Sequence, residues 1–369
     1  MTGAEFGVQR VAMPYGDAES WTVIDGGWLP VGPAEEFLSF LHSTERSPNT
    51  VKAYAHDLRD YFEFLGQAEI GWDDARLEDA GRFVAWLRLP PSARQQKVLA
   101  LPAASGYCSA ATVNRKLAAV SAFYQFHHRH GRGPGDLLAT WRTGGRSWQP
   151  MLAHLGPRAE RSPLIKLRAG RHIPATLDPE QVAAILDACG RLRDRFLVML
   201  LAEAGLRIGE ALGLRHEDID AAASLVTVVA RVNANGARAK SGRRQVPVPV
   251  RVIRLYSDYL HAEYGDLDCD YVFVSLWSGT PGRPLSYRSV YDLITRLREK
   301  TSIDFGPHTF RHSYATSLLR RGVPVEVVQR LLGHSSIATT SDTYAHLKVE
   351  DARRALVRAG WLPEPDGAR

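Results

Sequence analysis

Residues 307–344 read PHTFRHSYATSLLRRGVPVEVVQRLLGHSSIATTSDTY. His308 and Arg311 are three positions apart, so one helical turn puts them on a common face. Tyr314, Ala315, Leu318 and Leu319 continue at helical spacing and can bury the opposite flank. Gly322 ends that helix, Pro324 opens a second one through Leu332, and Gly333 stops it. His334 follows at once, and Tyr344 comes ten positions later. Taken singly, a His or Tyr on a half-apolar helix also fits a core or rim position. Together, two histidines, an arginine and a tyrosine suit chemistry at a phosphate. A guanidinium forks onto phosphate oxygens, imidazoles donate to them, and a phenol can act as nucleophile.

Working outward, the chain of 369 residues has room for two domains with separate cores. Its 45% hydrophobic and 23% charged content is that of a soluble globular protein. The net charge of +6 permits a polyanionic partner without requiring one. Cys108, Cys189 and Cys269 are scattered with no CxxC pair, which suggests neither a disulfide framework nor a zinc site. They read best as small buried hydrophobes. No charged-then-apolar leader and no apolar run of membrane-spanning length is present, so the expected location is cytoplasmic, with no membrane partner.

Residues 1–30 form an extension in which WTVIDGGWLPV reads as a strand, a Gly-Gly turn and another strand. Residues 31–132 are helical. PAEEFLSFLHS is a short amphipathic helix. Ser47-Pro48 reads as a cap and first position, followed by Val51, Tyr54, Leu58, Tyr61, Phe62 and Leu65 at helical spacing, with Gly66 as the stop. LEDAGRFVAWLR is a third helix. ATVNRKLAAVSAFYQFHHRHG is a fourth, with Val113, Leu117, Val120, Phe123 and Tyr124 as its stripe. Lys52, Arg59, Arg115 and Lys116 make a basic face that suits either phosphate contact or plain solvation. Residues 133–174 lose periodicity and gather Gly, Pro and Arg. Lys166, Arg168 and Arg171 make this a basic interdomain linker, read equally as a strap on a polyanion or as a solvated loop.

The second domain spans residues 175–369. Asp178, Pro179 and Gln181 form a capping-box pattern, and RFLVMLLAEAG is apolar on nearly all sides, as a central core helix would be. It delivers Gly205-Leu206-Arg207-Ile208-Gly209-Glu210, an arginine between two buried segments, with Glu210 placed to orient it or to serve as a structural ion pair. SLVTVVARV and RRQVPVPV read as strands flanking the turn-rich ANGARAKSG, which holds Lys240, and YVFVS reads as a third strand. Arg243 and Arg244 follow Lys240 as candidate phosphate contacts. SYRSVYDLITRLREK is an amphipathic helix, and VEDARRALVRAGWL is a last one near the C-terminus.

HTFRH, then LGH, then a tyrosine about ten positions on resembles the C-terminal signature of the tyrosine recombinases, the phage integrase family. SPNTVKAYAHDLRDYFEFL and TVNRKLAAVSAFYQF resemble that family's core-binding domain, and WLPV ahead of SPNTVKAYAHDL resembles transposon-encoded members. The resemblance covers roughly residues 33–350. It implies a mainly α fold with a small antiparallel β-sheet, an N-terminal helical SAM-like DNA-binding domain and a C-terminal tyrosine-recombinase catalytic domain.

The resemblance also assigns roles. Tyr344 would be the nucleophile, giving a 3′-phosphotyrosine intermediate and a Holliday junction. Arg207 and Arg311 would neutralise phosphate oxygens, Lys240 would be the general acid, His308 the proton acceptor and His334 a hydrogen-bond donor. No cofactor or metal is expected. The implied partner is double-stranded DNA, bound by a homo-tetramer on paired sites, with accessory DNA-bending or directionality proteins as further candidates. Integration or transposition is the expected function. A type IB topoisomerase-like nicking-closing enzyme and a chromosome or plasmid dimer resolvase stand as alternatives. The exchange of the C-terminal helix between protomers is left open.

Overall fold

The computed structural model describes residues 5–12, 19–94, 107–135, 139–142, 160–168, 175–239, 242–277 and 279–333. Lys240, His334, Tyr344, Arg171 and the expected C-terminal helix lie outside these described residues. The chain divides into two compact units, Met1–Arg171 and His172–Arg369.

The first unit opens with an antiparallel hairpin, β1 (Gly7–Ala12) against β2 (Glu19–Ile24), in the register Val8↔Val23 and Arg10↔Trp21. The expected strand after the Gly-Gly turn is reduced to one bridge, Ile24↔Pro30. The partner of β2 precedes it instead. GVQRVA has too short and too polar an alternation to announce a strand by itself. Helices α1 (Gly32–Ser43), α2 (Pro48–Ala68), α3 (Leu77–Arg88), the single turn α4 (Pro91–Arg94) and α5 (Ala110–Arg129) follow. Ser47 caps α2, its Oγ accepting from Thr50 N at 3.2 Å. The helix runs past Gly66, because Glu69 takes the left-handed position at φ 56° and Ile70 N closes on Leu65 O at 3.0 Å. Leu38, Leu58, Tyr61, Phe83, Leu87, Val113 and Phe123 fill the core between these helices. Tyr61 donates to Tyr124 Oη at 2.8 Å and Tyr124 donates to the Trp72 carbonyl at 2.7 Å, which satisfies both buried phenols.

The stretch expected to be a linker, aperiodic in sequence, contains a short antiparallel ribbon, β3 (Ala139–Arg142) with β4 (Glu160–Pro163). Beyond it, Ile165 and Leu167 pack on the first core. Asn114 of α5 grips the backbone there at both ends of one residue: its Nδ2 donates to Leu167 O at 2.9 Å, and its Oδ1 accepts from Leu167 N at 2.9 Å.

In the second unit, α6 (Pro179–Ala188) begins with the capping box of Asp178 and Gln181. The buried α7 (Leu192–Ala204) follows, then α8 (Ile208–Leu212). The sheet is β5 (Ile219–Asp220), β6 (Leu225–Val228) and β7 (Arg244–Pro247), antiparallel in the order β5-β6-β7. YVFVS is not its third strand. Tyr271, Val272, Phe273 and Val274 are buried, and they thread the core through single hydrogen bonds, Val272 N to Leu214 O and Leu285 N to Phe273 O. A segment buried on all sides has no solvent face to alternate with, so its pattern does not say which neighbour it pairs with. Helices α9 (Val250–Tyr259), α10 (Tyr287–Thr301), α11 (Pro307–Arg320) and α12 (Val325–Leu332) complete the described part. Ala315 of α11 packs with Val328 and Leu332 of α12, with Tyr314, Leu318 and Leu319 around them. No helix among the described residues is long and apolar enough to cross a membrane.

Candidate active site

The C-terminal end of α12 gathers three arginine side chains of the second unit. Gly333 ends α12 in the left-handed region at φ 64°, leaving the carbonyls of Leu331, Leu332 and Gly333 without helical partners. Three arginines supply donors. Arg311 is 4% exposed and donates from Nη2 to Leu332 O at 2.6 Å and from Nη1 to Gly205 O at 2.7 Å. Arg207 reaches the same Leu332 carbonyl and the Gly333 carbonyl, both at 3.4 Å. Arg244 donates from Nε to Leu331 O at 2.8 Å. Guanidiniums from α11, from the start of α8 and from β7 therefore converge on one helix end, whose partial negative charge favours cations.

Glu210 holds this group together. Its side chain is fully buried. Oε1 accepts from Arg207 Nη1 at 2.8 Å and from Arg244 Nη1 at 3.0 Å, while Oε2 accepts from Arg207 N at 2.9 Å and from Arg244 Nη2 at 2.7 Å. Burial alone would raise its pKa, but the hydrogen bond and charge of Arg244, then those of Arg207, bring it down to about 2. It is a carboxylate at any physiological pH.

Glycines allow the close approaches. Gly205 ends α7 at φ 60°, and a Cβ there would overlap the Tyr314 ring. Gly209 lies under the backbone of Arg238, where a Cβ would come within 2.7 Å of the Arg238 carbonyl. The loop that leads to Lys240 thus rests on α8. Asn235 pins the same loop by donating to Leu212 O at 3.1 Å and Leu285 O at 2.9 Å.

Of the six residues expected to be catalytic, Arg207 and Arg311 meet at the Leu332 carbonyl. His308 lies on the exposed rim of α11, one turn from the inward-turned Arg311. Its neighbour His312 is held below the usual histidine range, first by burial and then by the charges of His308 and Arg311. Lys240, His334 and Tyr344 lie outside the described residues. Lys240 falls in the connection between β6 and β7, and His334 follows Gly333 directly.

The expected DNA contacts separate into two groups. Lys52 is exposed, with its ammonium over the Trp21 ring at 4.3 Å; Lys166, Arg168 and Arg243 are also exposed. Arg59 is partly exposed and Arg115 exposed, and they are paired with Asp60 and Asp57. Two residues depart from the expectation. Lys116 is 7% exposed, its ammonium 3.1 Å from Asp57 Oδ1 and 2.7 Å from Asp60 Oδ2, because its helical position falls on the buried stripe of α5. Arg244 is turned inward by the pleat, which buries Arg244 and Val246 and exposes Gln245 and Pro247. Both charges are consumed inside the protein. Among the cysteines, Cys189 has its thiol pushed up to about 12, chiefly by burial and then by Asp194, which suits a packing role.

Residues 175–351 match the phage integrase family, and residues 34–131 match the phage integrase N-terminal SAM-like domain. The chain is 36% identical over 350 residues to transposase A from transposon Tn554 of Staphylococcus aureus, covering 94% of this chain and 96% of that protein. It is 30% identical over 327 residues to tyrosine recombinase XerA of Thermococcus kodakarensis, covering 88% of this chain and 94% of that protein. Among solved structures, the fold is similar to the Tn1549 transposon integrase in complex with transposon right end DNA, with a TM-score of 0.59, 18% identity and coverage of 88% and 98%. It is similar also to XerH site-specific recombinase bound to palindromic difH substrate, with a TM-score of 0.59, 17% identity and coverage of 90% and 89%.

Proposed function

The chain belongs to the phage integrase family of tyrosine recombinases, and from that premise we propose that it is the site-specific recombinase of a transposon, cutting and rejoining DNA strands at the element's ends. The 36% identity over 94% of the chain to a transposase, against 30% to tyrosine recombinase XerA, supports the transposon role. The observation that carries the site is the convergence of Arg207 and Arg311 on one carbonyl at the end of α12, immediately before His334 in sequence.

The proposed reaction is a transesterification. The Tyr344 phenol attacks the scissile phosphorus while the bond to the 5′-oxygen breaks, leaving a 3′-phosphotyrosine and a 5′-hydroxyl. His308 takes the phenolic proton, and Lys240 gives one to the departing oxygen. Arg207 and Arg311 stabilise the charge that builds on the non-bridging oxygens, and His334 adds a hydrogen bond there. Because the phosphodiester energy is kept in the protein–DNA bond, the reverse attack reseals the strand without a nucleotide cofactor. Pairing two sites in a homo-tetramer would pass strands through a Holliday junction; accessory DNA-bending or directionality proteins would set the outcome.

The test is a nicked suicide duplex carrying the end sequence of the element that encodes the chain. Wild type should give a covalent band linked through a 3′-phosphate, and Tyr344→Phe none. Arg311→Ala should bind the duplex but cleave it at least about 10³-fold more slowly, the scale of a lost transition-state arginine. Near-normal cleavage by that variant would overturn the site. Complexes with one protomer per DNA at every concentration would instead favour the nicking-closing alternative over a recombining tetramer.

A further inference from the structure

We infer that Arg244 is a positioning residue for strand cleavage, clamping Glu210 and the end of α12 so that Arg207 presents its positive charge to the scissile phosphate. The inference rests on the recombinase reading of Arg207. Arg244 opens β7, paired with Val228, at the mouth of the connection that carries Lys240. Its side chain is 7% exposed. One guanidinium thus spans three elements: both oxygens of Glu210 on α8, at 3.0 and 2.7 Å, and the Leu331 carbonyl on α12, at 2.8 Å, all from β7.

Charge gives this clamp its consequence. Arg207 and Glu210 alone would form a closed pair in a dry site, and the carboxylate would cancel the charge that a phosphate needs to find. Arg244 adds a second cation to the same carboxylate. Two guanidiniums on one carboxylate leave one positive charge over. Arg207 is the more exposed of the two, 21% against 7%, so the surplus is displayed on its side. Geometry reinforces this. With both Glu210 oxygens anchored by the Arg244 fork, the Arg207 backbone N–H and Nη1 each meet an oxygen already fixed in place. A lysine could restore the charge but not the fork, since its ammonium is a single point that cannot hold both oxygens and the Leu331 carbonyl together.

The experiment uses the full chain with Arg244→Lys, Arg244→Met and the double substitution Arg244→Met/Glu210→Gln. Melting temperature, duplex affinity and the single-turnover rate of covalent-complex formation at saturating nicked duplex are measured for each. Arg244→Lys should keep wild-type affinity but form the complex about 10- to 100-fold more slowly, the usual effect of losing an orienting partner. Arg244→Met should lose melting temperature as well, because it takes two hydrogen bonds from a buried carboxylate and leaves it with those from Arg207. The double substitution should regain stability without regaining rate, which separates positioning from mere structural support. Arg244→Lys cleaving at the wild-type rate would overturn the inference. So would a loss confined to affinity, which would make Arg244 a phosphate contact. Hydrogen exchange of the DNA-free protein supplies an independent arm: peptides covering residues 205–212 and 325–333 should exchange faster in Arg244→Lys. If wild type forms no covalent complex, the recombinase reading fails by itself, and unchanged exchange in those peptides still overturns the clamp.

Discussion

Gly205 shows how far a single residue constrains this site. It sits at φ 60°, and a Cβ would lie 3.0 Å from Tyr314 Cγ and overlap the ring edge. Its carbonyl accepts from Arg311 and its chain leads through the buried Leu206 to Arg207, so one backbone position spaces both arginines proposed to bind the phosphate. Gly205→Ala should therefore destabilise by at least about 1–2 kcal/mol from the left-handed backbone alone, with the ring clash added. Duplex affinity should survive while cleavage slows. Gly205→Ala/Tyr314→Ala should relieve the clash and keep the backbone strain, so its melting temperature should recover only in part. Thermal denaturation reads both, and a Gly205→Ala variant that melts like wild type would refute the account. The sequence announces an arginine between buried segments here. It does not announce that a ring more than a hundred positions away forbids any side chain at Gly205.

At the scale of elements, α2 and α5 meet through charges as well as through aromatic rings. Asp57 is 2% and Asp60 6% exposed, with Lys116 bridging them and Arg59 and Arg115 closing the outer sides. Burial would raise the Asp60 carboxyl, but Lys116 and then Arg59 hold it below its ordinary range. Lys116→Met should leave two carboxylates close together in a buried place and cost about 3–5 kcal/mol, the scale of a broken buried pair. Chemical denaturation checks this, and a loss no larger than that of a surface lysine would show the bridge to be dispensable. The position was partly legible. Lys116 lies three residues after Val113 and four before Val120, squarely on the apolar stripe, and a basic residue on that stripe needs buried acidic partners. Arg244 carried the same kind of signal, since β alternation puts it on the face of Val246. Charge alone suits both to a solvent-facing position, whereas periodicity places both inward. Which acidic residues answer them was not legible, as α5 and β7 meet their partners through tertiary contacts between distant segments. The helices and their caps, by contrast, follow from local rules, as the Ser47 and Asp178 boundaries show.

Over the whole molecule, the net charge of +6 is modest for a protein that must hold a duplex, so the placement of individual charges decides affinity. Lys52, Arg59 and Arg115 remain at the surface of the first unit, whereas Lys116 is turned inward. Arg115 is the most informative of them. Its side chain is 52% exposed and paired with Asp57, but Asp57 keeps Lys116 as a second partner, so Arg115 can turn to a phosphate without stranding a buried carboxylate. Each phosphate so neutralised releases counterions and steepens the fall of affinity with salt. Arg115→Ala should accordingly reduce the slope of log affinity against log salt by about 1 and weaken binding alike on specific and unrelated duplexes. Its melting temperature should change little, in contrast to Lys116→Met, because an exposed ion pair contributes at most about 1 kcal/mol. Titration of labelled duplex over a series of salt concentrations measures the slope. A slope unchanged from wild type would mean that Arg115 stays on Asp57 when DNA binds, and that the first unit grips the duplex by other charges.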